Sequence, residues 1–170
     1  MDNPILYKLV IKGPAKSGKS NIVSQYFDRR FNENYDMTIG VEFASKNINF
    51  ENKLYKFQMW DTSGAEKFKS IVKSYYKGCQ AMILVFDLTS QESFNEIKNN
   101  YDEDLKDIEE IGFKILDGNK TDLENERIVK FDDAESFAKS KGIGYIECSA
   151  KVGGNIEEIF MVILKHLNSQ

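Results

Sequence analysis

The sequence predicts an α/β fold in which a mostly parallel sheet carries helices on both faces. Two observations lead there. Apolar, strand-like runs alternate with amphipathic stretches along all 170 residues, and the polar motifs fall just after predicted strands, where ligands sit in open α/β sheets. With 41% hydrophobic and 29% charged residues, the chain suits a single domain, 1–170, with its own core.

The elements follow in order. Residues 5–12 (ILYKLVIK) read as a strand and 20–27 (SNIVSQYF) as a helix. Residues 41–50 and 53–60 flank the polar break Glu51–Asn52 and read as an antiparallel hairpin. The run 81–88 (AMILVFDL) is a buried strand and 91–110 is helical. Segment 112–116 (GFKIL) is a strand, 132–141 a helix, 143–148 (IGYIEC) a strand and 155–167 a closing amphipathic helix. The acidic run YDEDLKDIEE, 101–110, is interrupted by Leu105 and Ile108 and reads as a solvated helix face.

Composition excludes several classes. The net charge of −4 speaks against a nucleic-acid partner, which requires a basic face. Cys79, Cys148 and His166 show no metal-ligand spacing, and the two thiols are expected to be reduced, as in the cytoplasm. No apolar run approaches the ~18 residues of a membrane span. The start MDNPILYK is neither a signal peptide nor a myristoylation site, and KHLNSQ carries no prenylation cysteine, so the expectation is a soluble, cytoplasmic chain.

Residues Gly13–Ser20 (GPAKSGKS) fit G-x-x-x-x-G-K-[ST] between a predicted strand and a predicted helix. Such a loop curls around phosphate oxygens with its N–H groups pointing inward, and Gly13 and Gly18 permit the curl. Gly13, Ala15, Lys16, Ser17, Gly18, Lys19, Ser20 and Asn21 are therefore candidate nucleotide-binding residues. Lys19 can reach the β- and γ-phosphate oxygens, Ser20 can ligate Mg²⁺, and the helix N-terminus adds a favourable field.

Further along, Asp61 ends an apolar strand before the turn DTSG. Its carboxylate can hold Mg²⁺ through the water shell, and the Gly64 amide can approach a γ-phosphate. Thr38, in the polar connector YDMTIGVEF, can join the metal only while a γ-phosphate is present. Lys19, Thr38 and Gly64 are the candidate catalytic groups, and Ser20, Thr38 and Asp61 the candidate metal ligands.

Asn119, Lys120 and Asp122 belong to GNKTD, after the strand FKIL. A carboxylate at Asp122 can accept from N1–H and the exocyclic amine of guanine together, a pattern that adenine does not present. Asn119 offers an amide to the purine edge, and the stem of Lys120 can lie along the base. The loop ECSAK, after the next strand, brings Ser149, Ala150 and Lys151, with amides near Ala150 placed for guanine O6.

With these motifs in this order, the sequence resembles the Ras superfamily of small GTPases over essentially its full length. The segments IGVEF, KFQMW, KFKSI, YYKGC and LVFDLT resemble the Rab branch in particular. The resemblance implies a P-loop NTPase G-domain with a six-stranded sheet, about five helices, Mg²⁺ as cofactor and GTP or GDP as ligand. It also implies switch loops near 31–40 and 62–77, with Phe31 against the guanine and Tyr35 over the phosphates. Phe43, Trp60 and Tyr75 fall where Rabs present an aromatic effector patch; plain core packing is the alternative. Exchange factors, GTPase-activating proteins and vesicle-trafficking effectors are the implied partners, the protein itself being expected as a monomer.

The chain departs from that pattern at named positions. Ala65 stands where Rabs carry the glutamine that orients the attacking water, and alanine can neither donate to water nor accept from it. Ala15, where the superfamily often has glycine, is a mild change. Ser63 replaces the usual alanine, and Asp117 places a charge at the end of an otherwise apolar strand, facing either solvent or the base pocket. A prenylated tail is also missing, so membrane association is expected only through a lipidated tail outside these residues. Two readings follow: a GTPase with slow intrinsic hydrolysis whose partner supplies the missing groups, or a GTP-locked interaction module.

Overall fold

A computed structural model of the protein describes residues 3–34, 40–64, 69–108 and 111–170. Strands β1 (Ile5–Lys12), β2 (Gly40–Phe50), β3 (Lys53–Gly64), β4 (Ala81–Asp87), β5 (Phe113–Asn119) and β6 (Gly144–Cys148) form one sheet in the order β2-β3-β1-β4-β5-β6. The β2–β3 hairpin is antiparallel, and the remaining neighbours pair in parallel. Helices α1 (Lys19–Asp28), α2 (Lys69–Tyr76), α3 (Gln91–Ile108), α4 (Phe131–Ser140) and α5 (Ile156–Asn168) cover the two faces. This is the mostly parallel α/β architecture that the alternation of apolar runs predicts.

Strand periodicity divides the core into two layers. Leu9 and Ile11 of β1 point to the face covered by α1 and α5, where they meet Ile22, Tyr26, Ile159 and Phe160. Val10 points the other way, into the layer of Met82, Leu84, Phe86, Phe94 and Ile97 beneath α2, α3 and α4. All seven residues of β4 are buried, as expected of a parallel strand sandwiched between helices. Tyr26 and Phe160 stack with ring centroids 3.7 Å apart and lock α1 onto α5.

The hairpin reverses at Glu51 and Asn52, with φ of 48° and 61°. Two successive left-handed residues make the primed turn whose twist matches the flanking strands.

Three sequence expectations are corrected. Asp61 does not end its strand: β3 runs on to Gly64, because pairing of Ile11 with Asp61 and of Gly40 with Gly64 carries the ladder past the apolar run. The predicted second switch loop contains a helix, α2, whose Val72 and Tyr76 lie four residues apart and share one buried face. Strand β5 does not stop at Leu116 but continues through Asp117 to Asn119, each paired with both β4 and β6. The other boundaries agree within two residues. The acidic segment of α3 is less purely solvated than expected: Asp104 bonds Lys12 at 2.7 Å and Asp102 bonds Lys141 at 2.7 Å.

Among the described residues, no helix is long and apolar enough to cross a membrane. Both cysteines are free and buried.

Candidate functional site

Strand β1 delivers the chain to the sheet's carboxyl edge at Lys12, and α1 begins at Lys19. Between them the backbone takes positive φ at Gly13 (154°), Lys16 (65°) and Gly18 (92°). A side chain at Gly13 would collide with the carbonyl oxygen of Val85, and one at Gly18 with the side-chain amide of Asn119. The glycines therefore do two things: they allow the curl, and they let β4 and β5 approach it. Ser17 closes the loop, its hydroxyl donating to the Pro14 carbonyl at 2.7 Å.

Lys19 is 4% exposed, and its ammonium donates to the carbonyls of Gly13 and Pro14 inside the curl. Ser20, in the first turn of α1, and Asp61, in β3, meet directly: the hydroxyl donates to the carboxylate at 2.5 Å. Two hard oxygen donors at that separation suit Mg²⁺, which takes few protein ligands and completes its shell with water and phosphate. Asp61 is almost fully buried.

The β5 end and the loop after β6 come together over Gly18. Asn119 donates its amide hydrogens to Ser17 O at 2.9 Å and accepts from the Ala150 N–H at 3.1 Å. One buried side chain thus ties the phosphate loop to the ECSAK loop. Lys120, in the left-handed conformation, donates to Lys16 O at 2.9 Å and to the Asp87 carboxylate at 2.7 Å. Its head is anchored to the phosphate loop and to the end of β4, and the residue lines the cavity. Asp122 is exposed to the cavity and accepts at one oxygen from Ser149 Oγ at 2.6 Å, while that hydroxyl also accepts from Val152 N.

Residues 15–20, Asn119, Lys120, Asp122 and Ala150 line a cavity of about 850 Å³ that also includes Asn21, Phe31 and Lys151, a size within the range of small-ligand sites. Asn21 and Asn32 exchange two hydrogen bonds of 3.0 Å, fixing the chain after α1 beside Phe31. Glu33 and Lys151 pair at 3.3 Å across the mouth. Tyr35 and Thr38 lie outside the described residues, as does Ala65; Gly64 is placed by its pairing with Gly40 at the end of β3.

Phe43, Trp60 and Tyr75 form a contiguous stack, with centroids 4.8 Å and 5.2 Å apart. Phe43 is half exposed and the other two partly so, so the trio is a surface patch rather than core. Lys8 lies over the Trp60 ring at 5.5 Å and donates to Lys77 O.

Asp87 and Asp117 are the polar groups that the sequence reading left unassigned. Asp87 closes the run AMILVFD at the end of β4, and accepts from the Thr89 N–H and hydroxyl as well as from Lys120. A carboxylate at the tip of a buried strand was the signal available. Asp117 is completely buried: its Oδ2 accepts from the Cys148 thiol at 3.1 Å, and its Oδ1 has no partner among the described residues. Of the two orientations left open for it, solvent is excluded. Behind it, Glu147 is clasped by Arg127 at 2.9 and 2.7 Å and by the Tyr145 hydroxyl at 2.7 Å. Burial pushes the Glu147 carboxyl up, but those hydrogen bonds prevail and hold it below its ordinary range.

The family model of the Ras family matches residues 8–169. The chain is 39% identical over 170 residues to Ras-related protein Rab-1D of Dictyostelium discoideum, a match covering 99% of this chain and 83% of that protein.

Proposed function

The chain belongs to the Ras family of small GTPases, and from that premise we propose a Rab-like switch that holds Mg²⁺ with GTP or GDP, hydrolyses GTP slowly and recruits trafficking effectors. The observation that carries the nucleotide assignment is the convergence of residues 15–20 of the phosphate loop, Asn119, Lys120, Asp122, Ala150 and Lys151 on one cavity.

In this reading the loop amides and Lys19 bind the phosphates. The Lys19 ammonium exchanges its present carbonyl partners for phosphate oxygens without leaving the curl. Ser20 and Asp61 hold Mg²⁺, with Thr38 joining in the GTP state. When bound, the metal neutralises charge on the β- and γ-phosphate oxygens. Asp122, oriented by Ser149, reads the guanine edge, and the anchored Lys120 presents its methylenes to the base. Phe31 closes the base side, and Tyr35 covers the phosphates.

Catalysis rests on positioning and electrostatics. Lys19 and the Gly64 amide supply stabilisation to the γ-phosphate, while Ala65 supplies nothing to the attacking water. Intrinsic turnover is accordingly slow, and a GTPase-activating protein that brings its own arginine and glutamine completes the site. Effectors of membrane traffic read the Phe43–Trp60–Tyr75 patch, which joins β2 and β3 to α2 within the nucleotide-sensing region.

Competition against a fluorescent GDP analogue tests the base assignment. GDP and GTP should displace it stoichiometrically, and ATP should be weaker by about 10⁴-fold, because a site built to pair hydrogen-bonding groups rejects a base that leaves them unpaired. Comparable displacement by ATP would refute a guanine pocket and leave only a general phosphate-binding loop.

A further inference from the structure

Asp117 lies in β5 two residues before Asn119, on the sheet face that carries Val85, Ile115 and Cys148 beneath α1 and α5. A chain of contacts leads from it into the base pocket. Its Oδ2 accepts from the Cys148 thiol at 3.1 Å, and the same sulfur lies 3.5 Å from Asn119 Oδ1. Asn119 Oδ1 in turn accepts the Ala150 N–H, and the Asn119 amide donates to Ser17 O. The thiol has one proton and two acceptors within reach, so the state of Asp117 decides which acceptor receives it.

The remaining ionisable neighbours do not neutralise this carboxyl. Glu147 of β6 acts on it through space and raises rather than relieves its cost of ionisation, Arg127 being committed to Glu147. Asp122 acts on the thiol. From α1, Lys19 turns its ammonium to the Gly13 and Pro14 carbonyls. On α5 the buried side chains are apolar, and Glu157 is exposed toward Lys46.

We propose that Asp117 is a positioning residue of the guanine pocket, acting through the Cys148 thiol on Asn119, and that its protonation sets how tightly the nucleotide is held. This rests on the guanine-nucleotide reading above. Burial pushes the Asp117 carboxyl up to about 7, the thiol contact working against that rise and Glu147 adding to it. The carboxyl therefore changes charge within the physiological range.

The direction follows from electrostatics. A nucleotide brings anionic phosphates to the Gly13–Ser20 loop, and that favours the neutral carboxyl. Binding and protonation consequently reinforce each other, and the nucleotide is held more tightly below neutrality than above it. In the ionised state the thiol proton is drawn to Asp117, leaving Asn119 Oδ1 facing sulfur lone pairs beside a buried negative charge. That weakens the Asn119 bridge between the two loops.

The test is the release rate of a methylanthraniloyl-labelled GDP, at fixed Mg²⁺ and ionic strength, from about pH 5.5 to about pH 8.5. Wild type, Asp117→Asn, Asp117→Val and Cys148→Ala are compared. Wild-type release should accelerate about three- to tenfold across a midpoint near neutrality, one proton allowing at most about tenfold per pH unit. Both Asp117 variants should lose that step, and Cys148→Ala should shrink it by breaking the link to Asn119 and move what remains to higher pH by removing the donor that favours the carboxylate. Profiles of wild type and both Asp117 variants that run parallel, with nucleotide bound, overturn the proposal alone. No binding by wild type at any pH overturns the guanine reading with it.

Discussion

The Asn119 side-chain amide donates to the Ser17 carbonyl at 2.9 Å, joining the end of β5 to the phosphate loop across 102 positions of sequence. Only a glycine at position 18 permits that approach, since a Cβ there would occupy the place of the Asn119 amide. In the proposed reading, the phosphate and base sites therefore share one contact. Asn119→Ala removes it and leaves the Ser17 carbonyl and the Ala150 N–H without their buried partner. At about 1–3 kcal/mol for each buried group left unmade, GDP release should accelerate by about 10²-fold or more, measured by displacement of a fluorescent analogue.

Gly18→Ala attacks the same contact from the loop side. The new methyl meets Asn119, and φ of 92° is strained for any L side chain. We expect a thermal midpoint several degrees lower in the nucleotide-free protein, from about 1–2 kcal/mol of strain, together with at least tenfold weaker GDP binding. Calorimetry and titration read the two effects separately.

Asp122→Asn replaces an acceptor pair with an amide. Guanine should lose its preference and xanthine should gain it, in a swing of about 10²-fold or more measured by competition between GDP and XDP. Unchanged base preference would remove Asp122 from the reading edge.

The buried Asp117 also predicts how stability varies with pH. Its folded pKa of about 7 stands above the ordinary 3.8. The folded state therefore binds more protons than the unfolded state between those values, and the stability present at low pH is lost as pH rises toward 7. Asp117→Val, which carries no charge, should be more stable than wild type above pH 7 by a few kcal/mol. That advantage should shrink steadily toward pH 4. Urea denaturation at several pH values, in excess EDTA and without nucleotide, checks the sign.

Much of the site was legible in the sequence because its parts are local. The curl of Gly13–Ser20 needs glycine, lysine and serine at fixed offsets, and Asn119, Lys120 and Asp122 lie within four residues of one another. The alternation of apolar runs with amphipathic stretches likewise announced helices on both faces of the sheet. What escaped depends on partners distant in sequence. Asp117 reads as the end of a strand until pairing with β4 and β6 shows that the ladder runs through it. Helix α2 is only eight residues long, and its lysines and serines mask the Val72–Tyr76 stripe. The partial exposure of Phe43, Trp60 and Tyr75 was equally undecidable from composition, because an aromatic side chain is as much at home in a core as in a patch.

Single-turnover hydrolysis of preloaded Mg²⁺–GTP, followed by chromatography in wild type and in Ala65→Gln, tests the switch most directly. The account predicts slow conversion to GDP by wild type and at least a several-fold gain in the glutamine variant, since the phosphate and metal groups are retained and only the water-orienting side chain is missing. If neither protein converts bound GTP, the chain is not a slow GTPase, and a GTP-locked interaction module takes its place.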